Sequence, residues 1–136
     1  MRDRELKSAS LGRWRYLELR AFCRQYDEKK HTAAQLLGVA SLRTDGLPGG
    51  KGAAGDPVYA ATLRRSRLLD DCAKIEQAAI AADPVGYRAI LKNVTQGIRY
   101  EETGYYGCRS DFFRARRRFF AALDESLAPT GRKDTV

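Results

Sequence analysis

Histidine, methionine and tryptophan occur once each in this 136-residue chain, and cysteine only three times. Cys23, Cys72 and Cys108 form no Cys-x-x-Cys pair, and with His31 as the one imidazole a structural zinc site has no ligand set. The same odd, scattered thiols exclude a disulfide framework and suit a reducing compartment. No apolar run approaches the roughly 20 residues of a membrane-spanning helix. The N-terminal residues are charged where a signal peptide needs its apolar stretch. No segment alternates apolar and polar residues with the period of a half-buried strand. No spacing joins a nucleophile to a base, and the neighbouring carboxylates Glu101 and Glu102 point apart on a helix. The expectation is a soluble, cytoplasmic, all-α protein that is not an enzyme and holds neither metal nor cofactor.

What the chain has in quantity is positive charge. The formal net charge is +8 and the isoelectric point near 9.7, which predicts acidic partners, nucleic acid first. The excess is uneven: residues 1–56 carry +4, 57–83 are neutral, 84–127 carry +3 and the tail adds +1. A neutral middle reads as a packing element between basic contact surfaces.

Apolar periodicity divides the chain into helices. Residues 4–26 carry one stripe of Tyr16, Leu19, Cys23 and Tyr26 and a second of Leu11, Trp14, Leu17 and Ala21. Asp27–Val39 continues that helix or forms a second one, with Asp27 placed to cap it and Gly38 to end it. Residues 44–57 hold five glycines and two prolines and read as a linker. Gly50-Lys51 is not a phosphate-binding loop, because Asp45 stands where the motif needs glycine and Gly52 where it needs Ser or Thr. Asp56-Pro57 opens a long helix with Val58, Ala61, Leu68, Cys72, Ile75, Ala79 and Ala82 on one stripe, interrupted by Arg65. Asp83-Pro84 repeats the signal for a helix bearing Tyr87, Ile90, Leu91 and Val94, which Gly97 ends. The predicted organisation is an N-terminal helical arm (1–43), the linker (44–57), a long helix with a DNA-binding region (58–127) and a disordered tail (128–136). In architecture this is a helical hairpin, 4–40 against 57–82, followed by a C-terminal helix-turn-helix.

The segment from Ile98 to Leu127 is the most informative. A short amphipathic element near Arg99–Thr103, a turn over Gly104–Cys108 and a helix from Asp111 to Leu127 follow in the order a helix-turn-helix reader requires. Five arginines against Asp111 leave residues 109–120 with four net positive charges. Phe112, Phe119, Phe120 and Leu123 share a face that docks on the preceding helix. Ser110 is the expected N-cap, with Asp111 complementing the dipole. Arg109, Ser110 and Asp111 sit at the end that meets base edges in a major groove, where an arginine on guanine contributes roughly 1–3 kcal/mol of discrimination. Arg116, Arg117 and Arg118, with Arg88, Lys92 and Arg99, are phosphate contacts. Tyr100, Tyr105 and Tyr106 pack the helices together, and Cys108 fills a small slot in the turn. The plainer alternative is an arginine face spent on solvent and on Glu101, Glu102, Asp124 and Glu125.

The Asp-Gly-Leu-Pro-Gly-Gly linker, the Leu-Leu-Asp-Asp-Cys-Ala-Lys-Ile-Glu-Gln helix, Ala-Asp-Pro before Tyr87 and the closing Phe-Phe-Arg-Ala-Arg-Arg-Arg-Phe-Phe resemble small phage and prophage proteins of Gram-positive bacteria. These are late-gene transcription activators of the ArpU and RinA type, whose C-terminal part is similar to the helix-turn-helix of sigma factors. The likeness spans roughly residues 44–127, and the tyrosine-rich turn departs from it. It implies sequence-specific binding of double-stranded DNA, with Arg109, Ser110, Asp111, Arg114 and Arg117 as readers and RNA polymerase as a further partner. Homo-oligomers fit paired half-sites. Two rivals remain: a small terminase subunit binding DNA for packaging, and a helical adaptor whose arginine face meets an acidic protein.

Overall fold

The computed structural model describes residues 11–43 and 56–128. The expected helix start at residue 4, the linker up to residue 55 and the tail beyond residue 128 lie outside them. The described residues form α1 (Arg13–Arg24), α2 (Tyr26–Arg43), α3 (Pro57–Ala82), α4 (Tyr87–Gln96), α5 (Tyr100–Thr103) and α6 (Arg109–Leu127), with no strand among them. The all-α expectation holds. No described helix is long and apolar enough to cross a membrane.

Local chemistry accounts for most boundaries. The Asp56 carboxylate accepts the Val58 amide at 2.9 Å and caps α3, with Pro57 at its first position. α4 ends at Gly97 in the left-handed region (φ 75°), where its amide reaches Asn93 O and that of Ile98 reaches Lys92 O. Three boundaries depart from the sequence reading. The first helix stops at Arg24, and Asp27 lies inside the first turn of α2 rather than capping it. There its carboxylate, with that of Glu28, complements the dipole. Gly38 does not end α2, which runs on to Arg43, because one interior glycine costs only ~1 kcal/mol and removes no backbone hydrogen bond. Asp83 caps a turn rather than a helix: its Oδ1 accepts the amides of Val85 and Gly86, and α4 begins only at Tyr87.

The chain separates into two units, one of residues 26–43 and 56–73, the other of 11–25 and 74–128. In the first, α2 and the front of α3 run antiparallel. Lys29 pairs with Asp71 at 2.9 Å, and the Cys72 thiol lies 3.8 Å from Tyr26 O. Arg65, which breaks the apolar stripe, turns its Nε to Ala33 O at 3.2 Å. In the second, α1 packs on α4 and α6 instead of continuing the arm. Tyr16 meets Phe120 edge-on at 5.1 Å, and Arg15 pairs with Asp124 at 2.6 Å. Phe112, Phe119, Phe120, Leu123, Ile90, Ile75 and Leu19 are fully buried there. Each stabilises the fold by roughly 1.5–3 kcal/mol through burial.

The tyrosine turn is fastened across this second unit. Tyr105 donates to Asp83 Oδ2 at 2.6 Å, Tyr106 reaches the same carboxylate at 3.2 Å, and Tyr100 donates to Gly107 O at 2.9 Å. Gly86 makes this possible, since a Cβ there would stand 2.5 Å from Tyr105 Cε1 and 2.9 Å from Tyr106 Cε1. Both rings are held, so they cannot swing aside at little cost. Gly86→Ala is expected to lose about 1–3 kcal/mol of stability by overpacking, read as a lower denaturant midpoint. An unchanged midpoint would show that the tyrosine turn tolerates displacement.

Candidate functional site

The residues that bring charge to one place are on α6 and the turn before it. Phe112, Ala115, Phe119, Phe120 and Leu123 are buried, which fixes the remaining faces outward. α6 begins at Arg109, two residues earlier than expected, with Cys108 rather than Ser110 at the N-cap and no side chain capping the first amides. A thiol is too weak an acceptor to take that role. Cys108 does not fill an apolar slot as expected; it is exposed, with Sγ 3.3 Å from Ser110 Oγ. The displaced start puts Arg109 and Ser110 within the first turn of α6 beside Asp111.

Arg109, Ser110, Arg114 and Arg117 line one open depression of about 570 Å³, together with Cys108 and Phe113. Four of the five residues expected to read bases are thus together. The fifth, Asp111, pairs with Arg114 at 2.8 Å from the rim. Arg109 lies 5.1 Å over the Phe113 ring and pairs with Glu101 at 2.9 Å. The Glu101 carboxyl sits below its ordinary range, held there by its own backbone amide and then by Arg109 and Arg99. These exposed pairs are screened by water and weak, so an incoming anion can exchange for the carboxylate.

The expected phosphate contacts are not gathered in the same way. Arg99 borders the Glu101–Glu102 pair, 3.4 Å from Glu102. Arg88 and Lys92 are exposed on α4, with Arg88 over the Tyr87 ring. Arg118 donates Nε to Ala82 O at 3.0 Å, closing the last turn of α3. Arg116 turns inward: Nε donates to Asn93 Oδ1 at 2.7 Å, Nη2 lies 3.2 Å from the Tyr16 hydroxyl, and the guanidinium stacks 4.9 Å from the Phe120 centroid. Its place is on a different face from the depression.

Asp83 was legible only as a cap. Its burial, at 4% exposure, and its hold on the turn depend on tyrosines 22 and 23 positions away. Burial pushes its carboxyl up, but the Tyr105 hydroxyl, the Gly86 and Val85 amides and the Tyr106 hydroxyl together bring it below the ordinary value. Among the described residues no group of His, Cys, Asp and Glu could hold a metal ion. No protein-family model matches the chain, nor does any curated protein or solved structure.

Proposed function

We propose that the chain is a sequence-specific DNA-binding regulator of phage or prophage transcription, with α6 as its recognition helix. The observation that carries this reading is the shared depression of Arg109, Ser110, Arg114 and Arg117 at the start of a basic helix. α5 is a single turn of four residues, so it cannot alone fix the angle of α6. The Asp83–Tyr105 and Tyr100–Gly107 hydrogen bonds supply that fixing from either side of the turn. Binding begins with electrostatic capture of the backbone by the basic surface, to which Arg88, Lys92 and Arg99 contribute. Arg109 and Arg114 then exchange Glu101 and Asp111 for guanine edges or phosphates, and the Ser110 hydroxyl reaches a base edge beside them. Contact with RNA polymerase and pairing of two copies on two half-sites complete the reading.

The test is selection from a pool of random duplexes at two salt concentrations, with wild type and an Arg114→Ala, Arg117→Ala variant. One enriched motif is expected, lost in the variant, with affinity falling roughly tenfold or more for each base-reading arginine removed. Salt-sensitive binding without a motif would replace the regulator with a non-specific packaging role. Absence of binding would leave an acidic protein as the partner of the arginine face.

A further inference from the structure

A second concave site lies on the other side of Arg116. Arg20 and Arg24 of α1, Arg116 and Phe120 of α6, and Asn93, Val94 and Gly97 at the end of α4 enclose about 210 Å³. Three guanidiniums line it and no carboxylate does. Of the carboxylates on α1 and α6, Glu18 pairs with Arg15 at 3.1 Å, Asp111 with Arg114 at 2.8 Å and Asp124 with Arg15 at 2.6 Å, and α4 carries none. Arg116 spends its bonds on two neutral groups, Asn93 and Tyr16. Arg20 and Arg116 both stack on the Tyr16 ring, at 5.7 and 5.9 Å from its centroid. Arg24 reaches across to Gly97, whose absent Cβ would stand 3.2 Å from Arg24 Nη1. Like charges are thus gathered in a concavity, held by aromatic and neutral contacts, with no anion from this chain among the described residues.

We propose that this pocket binds a phosphate-class oxyanion. Guanidiniums present planar forks that match tetrahedral oxyanions. A bound anion would also relieve the mutual repulsion of the three arginines, giving the site an affinity that scattered surface arginines lack. The site is separate from the depression on α6 and stands whether or not α6 reads bases. The anion is either free inorganic phosphate or a backbone phosphate of nucleic acid.

The full chain, isotopically labelled, is titrated with sodium phosphate against sodium chloride of equal ionic strength. The Gly97 amide and the arginine Nε–H signals are followed by NMR. Saturable shifts at Gly97, Arg24 and Arg116 are expected with phosphate only. Arg20→Gln and Arg24→Gln are exposed changes on α1 that keep the fold, checked by the unchanged spectrum elsewhere. Each is expected to weaken phosphate binding at least fivefold, and Arg114→Gln to leave it unchanged. Linear shifts equal to those in chloride, or shifts untouched by the two α1 variants, would overturn the proposal. A short duplex added to the phosphate-saturated protein then separates the sources. Displacement of phosphate from the Gly97 signals assigns the pocket to a backbone phosphate, and persistence of the phosphate-bound shifts assigns it to the free anion. If duplex fails to bind at all while phosphate still saturates the pocket, the DNA reading fails and this one survives.

Discussion

Replacing Phe112 by alanine is expected to remove about 3–5 kcal/mol of stability, a large part of the 5–15 kcal/mol typical of a domain. The ring is fully buried and meets aromatic rings from before, within and after the turn. Its centroid lies 5.2 Å from that of Tyr100, 5.2 Å from that of Tyr105 and 5.1 Å from that of Phe113. Removing it opens a cavity beneath rings that are hydrogen-bonded in place, so the surroundings cannot close on it. Phe112→Leu keeps most of the volume and is expected to lose less than half as much. Urea unfolding followed by circular dichroism, with the slope compared between variants, measures both. A loss below ~1 kcal/mol for Phe112→Ala would mean that the start of α6 is not anchored by this ring. The same variant separates anchoring from reading, because Phe112 faces the core and lines no part of the depression.

The helices and the core face of α6 were legible because they are periodic. Ile75, Ala79, Ala82, Phe112, Phe119, Phe120 and Leu123 all fall at buried positions predicted from 3- and 4-residue spacing. The exposed partners on the second stripe of α1 were not distinguished: Trp14 is 74% exposed although its spacing matches that of buried Leu11. Periodicity marks a face as apolar but does not say which neighbour covers it. The same limit hid the place of α1, whose packing on α4 and α6 rests on Tyr16, Arg15 and their partners about a hundred residues away. The tyrosine cluster was expected to pack the helices together, and it does. What could not be read was its target, since nothing local links Asp83 to Tyr105. Helical spacing set Arg114 and Arg117 off the buried aromatic face, but their grouping with Arg109 and Ser110 came only from the resemblance to the phage activators. The inward turn of Arg116 did not, because one residue's shift along a helix moves its side chain by about 100° and only the packing of α1 decides what it meets.

Acid is expected to weaken the protein through Asp83. The carboxylate is buried and accepts from two amides and two tyrosine hydroxyls, so the fold favours its ionised form and holds its pKa below the ordinary value. A depressed acid contributes stability that is complete above its unfolded value, near 3.9, and is lost as pH falls through the lower folded value. Asp83→Asn removes the charge but keeps an acceptor, and is expected to lose on the order of 2 kcal/mol at pH 7. Asp83→Ala leaves the buried Gly86 amide and the half-buried Tyr105 hydroxyl without their acceptor and is expected to lose more, on the order of 3–4 kcal/mol. The decisive measurement is the gap in unfolding free energy between wild type and the Asp83→Asn variant from pH 7 down to pH 3. It should narrow below about pH 4, as the wild-type carboxylate takes up the proton that the amide never could. At the alkaline end the sign reverses. Burial first, then the bond to Asp83, pushes the Tyr105 phenol above its ordinary value. Wild-type stability therefore declines above about pH 10, where the unfolded phenol ionises and the folded one does not. Tyr105→Phe should abolish that alkaline decline while leaving Asp83 with its two amides and Tyr106. A gap for Asp83→Asn that stays constant from pH 7 to pH 3 would mean that the carboxylate acts by shape alone and that its charge does not hold the turn before α6.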